Sequence, residues 1–249
     1  MGLSGLVLLV VRGRARERQL DRLLVAADDK LEQLQRQFER FVPADVVERL
    51  TDGADAFGPE RRQVTMLFAD LRGFTAMCDR LDPAVSLGIL NGYFDHMTEA
   101  IVRHHGHVTE FVGDGLLALF GAMEPNPWQG RDAVLAALEM REALARYNTT
   151  LRERGLPELR FGIGIHGGEV VAGVIGTPGL SKFSVTGDPI NVASRIEGLT
   201  SKLQVDLLFS DQIRQQLDSS FRLRAMPPAE VKGKAGPILT WTVEPDAQD

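Results

Sequence analysis

The sequence predicts an α+β domain, a ferredoxin-like sandwich with strand–helix–strand–strand–helix–strand order, extended at its end by further strands and one more helix. Three observations predict it. From about Arg61 onward, short apolar runs alternate with two long stretches of helical period. The two runs after the first long helix are joined by the tight turn Gly113-Asp114-Gly115 and read as a hairpin. The bulk composition is that of a globular chain, with 44% hydrophobic and 25% charged residues among 249. The net charge of −6 excludes non-specific nucleic-acid binding, since nothing would neutralise a phosphate backbone. One cysteine, Cys78, excludes an internal disulfide framework and fits a reducing cytoplasm.

Three segments precede the sandwich. Residues 1–14 hold an apolar run, Gly2 to Val11, and the first of the arginines Arg12, Arg14, Arg16 and Arg18. A membrane-spanning helix needs about 20 apolar residues, so this run is too short to cross alone. It reads as a membrane-helix remnant or a short anchor at the cytoplasmic face, with a frayed terminus as the plain alternative. Residues 15–50 carry Leu20, Leu24, Ala27, Leu31, Leu34, Phe38 and Phe41, spaced alternately by four and three. That register predicts a parallel coiled coil pairing two copies; the plain alternative is a helix packed on its own domain. Residues 51–60, rich in Gly and Asp, are the linker, and 61–249 form the main domain.

Within that domain the elements follow in order. Val64 to Ala69 is a short apolar strand, and Pro83 to His105 a helix with Leu87, Leu90, Tyr93, Phe94, Met97 and Ile101 on a broad apolar face. His107 to Val112 and Leu116 to Phe120 form the hairpin, and a second helix spans about Gly130 to Glu153. Leu159 to Ile165, Glu169 to Ile175 and Lys182 to Val185 read as three strands. Asp188 to Leu199 reads as a helix; Val205 to Phe209, Phe221 to Val231 and Leu239 to Val243 are the closing strands. His104, His105 and His107 straddle a helix end with no cysteine and no HExxH pattern, and read as a polar turn rather than a zinc site.

The sharpest chemistry lies in two carboxylates. Asp70 ends the first apolar strand and Asp114 occupies the glycine-flanked turn. If the first strand pairs beside the hairpin, both meet at one end of the sheet, where oxygen donors can hold two divalent ions, Mg²⁺ or Mn²⁺, against a triphosphate. Each aspartate alone has an ordinary reading, as turn chemistry or as a helix cap.

The segments Phe41-Val42-Pro43, Phe68 to Thr75, Phe111 to Gly115, Gly164 to Gly168, Gly187 to Arg195 and Val231 to Lys234 together resemble the class III adenylyl and guanylyl cyclases over about residues 41 to 243. The resemblance implies conversion of a purine nucleoside triphosphate, GTP or ATP, to a 3′,5′-cyclic nucleotide and pyrophosphate. It makes Asp70 and Asp114 metal ligands, with the Leu71 carbonyl a further candidate. Asn191 and Arg195, four apart on one helix face, are by resemblance the ribose-positioning and transition-state residues. Lys234 matches a lysine that holds the terminal phosphates. Where some members carry a phosphate-binding arginine this chain has Gly162, and Arg160, two residues earlier, is the candidate substitute. The family divides each active site between two subunits, so one chain with both residue sets implies a homodimer with shared sites.

The base pocket favours guanine. Glu110 and Ser184 occupy the positions where adenylyl cyclases of the family commonly carry lysine and aspartate or threonine. An ionised carboxylate accepts from guanine N1–H and N2–H but cannot donate to adenine N1. The alternative is an adenylate cyclase, with Glu110 drawn from the pocket by a salt bridge. A weakly active, nucleotide-binding signalling module ranks below both, because Asp70, Asp114, Asn191 and Arg195 are all present.

Overall fold

The computed structural model describes residue 30 and residues 58–177, 180–230 and 236–244. The apolar stretch 1–14, the heptad stretch 15–50 apart from residue 30, most of the linker and Lys234 lie outside the described residues. Among the described residues, no helix is long and apolar enough to cross a membrane.

The predicted α+β architecture is present. In chain order the elements are β1 (Glu60–Leu71), α1 (Phe74–Cys78), α2 (Pro83–Arg103), β2 (Gly106–Val112), β3 (Gly115–Phe120), α3 (Gln129–Glu153), β4 (Phe161–Thr177), β5 (Leu180–Thr186), α4 (Asp188–Leu203), β6 (Leu207–Ser210), α5 (Asp211–Arg214), β7 (Leu223–Ala225) and β8 (Thr240–Val243). The strands form one sheet in the order β2-β3-β1-β4-β6-β8-β7, with β5 paired to β4. β1 is central, antiparallel to both β3 and β4. Between Val64 and Ala69 it is apolar save for the buried Thr65, because both its faces are covered.

Side-chain alternation divides the core. Leu67, Ala69 and Leu71 of β1 face α2 and α3, packing with Tyr93, Met97, Ile101, Val134 and Met140. Val64 and Met66 face the other way, with Leu117, Leu119, Val170, Val185 and Ala193. α2 starts where the sequence sets it: Asp82 caps the Ala84 N–H at 2.8 Å and Pro83 opens the first turn.

Two expectations are corrected. Leu159 to Ile165 and Glu169 to Ile175 are not two strands. They belong to one, β4, which runs unbroken through Gly167-Gly168 from Phe161 to Thr177. These glycines do not break the strand; a Cβ on Gly168 would stand 2.6 Å from Pro189 Cγ, so the residue is small because α4 lies against it. Of the expected strand Phe221 to Val231, the described residues 221–230 hold only the short β7 and a single bridge between Ala229 and Ile238. Pro227 and Pro228 have no N–H to give a ladder. The short helices α1 and α5 had no periodic signal long enough to read. Of the histidines, His104 bonds Glu139 at 2.8 Å and His105 lies 3.4 Å from Asp132.

Candidate active site

The register brings the two aspartates together. Asp70 is the cross-strand partner of Gly115, and Asp114 immediately precedes that glycine in the turn, where Gly113 adopts φ 63°. Asp70 Oδ1 lies 3.0 Å from the point where a Cβ on Gly115 would stand, so the missing side chain is the space the carboxylate uses. Burial pushes the Asp70 carboxyl up, the charge of Asp114 pushes it further, and the Leu71 backbone N–H draws it partly back. Leu71 lies one residue beyond the last β1–β3 pair, Asp70↔Gly115.

α4 lies against the face that carries Asp70. Antiparallel partners share a face, and Asp70 pairs with Gly162 on its other side. A Cβ on Gly162 would meet Thr200 Oγ1 at 2.2 Å and Glu197 Oε1 at 2.7 Å; one on Gly164 would meet the Glu197 backbone N at 2.2 Å and the Ala193 carbonyl at 2.6 Å. Pro189, Ala193, Glu197 and Thr200 therefore form the sheet-facing stripe of α4. Asn191 and Arg195 each follow a stripe residue by two positions, about 200° around the helix, which places them away from the sheet. Asn191 is exposed, and Arg195 Nη1 is buried with no hydrogen-bond partner among the described residues.

The base-recognition candidates are partly gathered. Glu110 lies on β2 just past a register irregularity, and its carboxylate is ion-paired to Lys182 of β5. Ser184, buried, is two residues beyond Lys182 on the same strand. Arg160 is exposed and precedes β4, its carbonyl accepting from the Arg72 N–H at 2.7 Å.

This arrangement of acid pair, α4 and base-side residues coincides with a known domain. The model of the adenylate and guanylate cyclase catalytic domain matches residues 58–245. The chain belongs to that family. An adenylate cyclase of Anabaena cylindrica is 33% identical over 87% of this chain and 44% of its own length. The chain thus spans under half of that relative. The guanylyl cyclase Cya2 has a crystal structure 35% identical, covering 75% of this chain and 93% of its own, with a TM-score of 0.67. A bacterial light-regulated adenylyl cyclase superposes with a TM-score of 0.76 at 25% identity, over 86% of this chain and 62% of its own.

The cyclase domain's acid pair suits a hard divalent cation. Its donors are all oxygen, and Asp70 carries the electrostatic cost of a like charge beside it. Among the described residues no three His, Cys, Asp or Glu side chains gather so as to hold an ion by themselves.

Four further residues of this cyclase domain were given no part in the site by the sequence reading. Glu197 is pushed up to about 7 by burial first and the Asp70 charge second, with Arg72 opposing. Arg72 donates through Nη2 to the Val205 carbonyl, tying the end of β1 to the chain leaving α4. Lys182 carried a usable signal, since it shares a strand face with Ser184. Tyr93, fully buried beneath the site, is pushed up by burial and then by Asp70, Asp114 and Glu197, which keeps its phenol protonated.

Proposed function

We propose that this domain forms a 3′,5′-cyclic purine nucleotide and pyrophosphate from the triphosphate, at sites shared between two copies, with GTP the favoured substrate. The observation that carries the reading is Asp70 seated over Gly115 beside Asp114, together with the placement of Asn191 and Arg195 on the side of α4 turned from the sheet. A helix that turns its sheet-facing stripe toward its own Asp70 has Asn191 and Arg195 free for a site completed by another copy. The exposed Phe111, Val112, Val174 and Ile175 supply apolar surface for that copy.

Asp70 and Asp114 are the groups that would hold two divalent ions, Mg²⁺ or Mn²⁺, with the Leu71 carbonyl as a further donor. Bound there, the ions supply Lewis acidity at the attacking and leaving oxygens. The ribose 3′-oxygen attacks the α-phosphorus in line, the bond to the bridging oxygen breaks, and pyrophosphate leaves. Arg195 meets the charge that develops on the α-phosphate with a permanently charged, forked donor. Asn191 orients the ribose. Lys234, and Arg160 from the loop before β4, supply charge for the outer phosphates.

The preference for GTP rests on Glu110. One carboxylate oxygen is engaged by Lys182, which leaves the other to accept from guanine N1–H or N2–H. Ser184 donates to O6. ATP is the second reading, favoured by the same ion pair if it turns Glu110 away from the base. The names of the similar proteins divide between the two activities. Product formation by the purified protein with Mn²⁺, comparing ATP and GTP at equal concentration, tests both. Excess cyclic GMP supports the Glu110 argument. Excess cyclic AMP refutes it and leaves the reaction class standing, and no cyclic product refutes the reading as a whole.

A further inference from the structure

We infer that Glu197 is a positioning residue of the metal centre, which accepts hydrogen bonds from the water shell of the ion at Asp70 and fixes that ion without ligating it. The inference rests on the metal reading of Asp70 and Asp114.

Its basis is a row of three residues across the sheet. Gly115, Asp70 and Gly162 are direct cross-strand neighbours on β3, β1 and β4, so their side-chain positions share one face. Both flanking positions lack a Cβ. Into the space over Gly115 goes Asp70 Oδ1, 3.0 Å from the Cβ point; into the space over Gly162 goes Glu197 Oε1, 2.7 Å from its own. The two glycines thus seat two carboxylates side by side at the strand end that carries the acid pair.

The seating is rigid. The Glu197 backbone N lies 2.2 Å from the Cβ point of Gly164, so α4 is pressed against the sheet at the residue that bears the carboxylate. Thr200, one turn later, fills the rest of the space over Gly162 and donates to the Glu197 carbonyl at 2.6 Å, holding the local turn. Among the described residues the Glu197 carboxylate has no hydrogen bond or ion pair within contact distance. A half-buried acceptor of this kind, locked beside another carboxylate, calls for a donor that arrives with the ligand. The hydration shell of a Mg²⁺ or Mn²⁺ ion is such a donor, since these ions retain water when protein supplies few ligands. Outer-shell partners of this sort tune affinity by roughly 10–100-fold. The competing explanation is that Glu197 only balances the charge of Arg72, which is near enough to favour its ionised form.

The test is Mn²⁺ titration of the purified protein with a 3′-deoxynucleoside triphosphate, which lacks the attacking hydroxyl, with bound ion read by electron paramagnetic resonance. Glu197→Gln keeps the volume and removes the charge. It is expected to weaken Mn²⁺ binding by about 10-fold while leaving the melting temperature of the ion-free protein within a few degrees. Glu197→Asp keeps the charge but withdraws it by one methylene, and is expected to fall between wild type and the glutamine variant. Wild-type Mn²⁺ affinity in whichever of the two variants folds overturns the inference. Asp70→Asn, run in parallel, separates the two levels. If it also binds Mn²⁺ as wild type does, the metal reading itself fails. If it loses the ion while the Glu197 variants do not, only the role of Glu197 is lost.

Discussion

Replacing Gly164 by alanine tests whether the close seating of α4 on β4 sets the geometry of catalysis. The new Cβ would stand 2.2 Å from the Glu197 backbone N and 2.6 Å from the Ala193 carbonyl, both main-chain atoms that cannot rotate aside. Ordinary contact begins near 3.4 Å, so α4 must retreat by about 1 Å. Overpacking of this kind costs about 1–3 kcal/mol of stability. The same retreat carries Asn191 and Arg195 with it, and a misplacement of about 1 Å at reacting groups costs roughly 100-fold in rate. Gly198, one residue along the same helix, has open space around its Cβ point and is the internal control. Gly198→Ala should stabilise by about 0.5–1 kcal/mol through helix propensity and leave the rate unchanged. Calorimetric melting and steady-state cyclic-nucleotide formation read both effects. Gly164→Ala with wild-type melting temperature and wild-type kcat would refute the reasoning.

Three further outcomes are expected. Asp70→Asn should reduce cyclisation by at least about 1,000-fold, because several kcal/mol of transition-state stabilisation go with the ions. It should not lower the melting temperature of the ion-free protein, since it removes a partly desolvated charge that faces the like charge of Asp114; a destabilised variant contradicts the placement of Asp70 beside Asp114. Lys182→Met should release Glu110 and change the GTP-to-ATP ratio of kcat/KM by about 5–30-fold, the worth of one mispaired buried polar group, and an unchanged ratio removes Glu110 from base recognition. Ion-free protein should lose stability as pH rises from about 4.5 to about 7, then level off. The sign follows from Glu197: its carboxyl is raised in the folded state, so across this window the folded chain holds a proton that the unfolded chain has lost. Solvent screening of this partly exposed group limits the effect to about 1 kcal/mol. Glu197→Gln should flatten that slope in melting temperature against pH, and a slope kept intact assigns it elsewhere.

The acid pair was legible because each aspartate announces itself locally. An apolar run ending in Asp70 and a glycine-flanked Asp114 need only adjacent residues to be read, and the hairpin order then implies that they meet. Helices α2 and α3 were legible for the same reason, as a long period of apolar residues with an Asp-Pro start for α2. The single strand β4 was not. Gly167-Gly168 reads as a chain break when only neighbours in sequence are considered, whereas Pro189 of α4 is what requires a residue without a Cβ there.

By itself the sequence determined the fold class, the family to which the domain belongs and the motif residues Asp70, Asp114, Asn191 and Arg195, since periodicity and motif spacing are properties of the chain in order. The tertiary structure alone decided which partners these residues have. Glu110 met Lys182 across 72 positions, and Glu197 reached the side of Asp70 because two glycines on different strands left room on one face. Such pairings depend on the register of β1 between β3 and β4 and on the distance at which α4 rests on the sheet. Those quantities are fixed by packing many side chains at once, and no local stretch of sequence contains them.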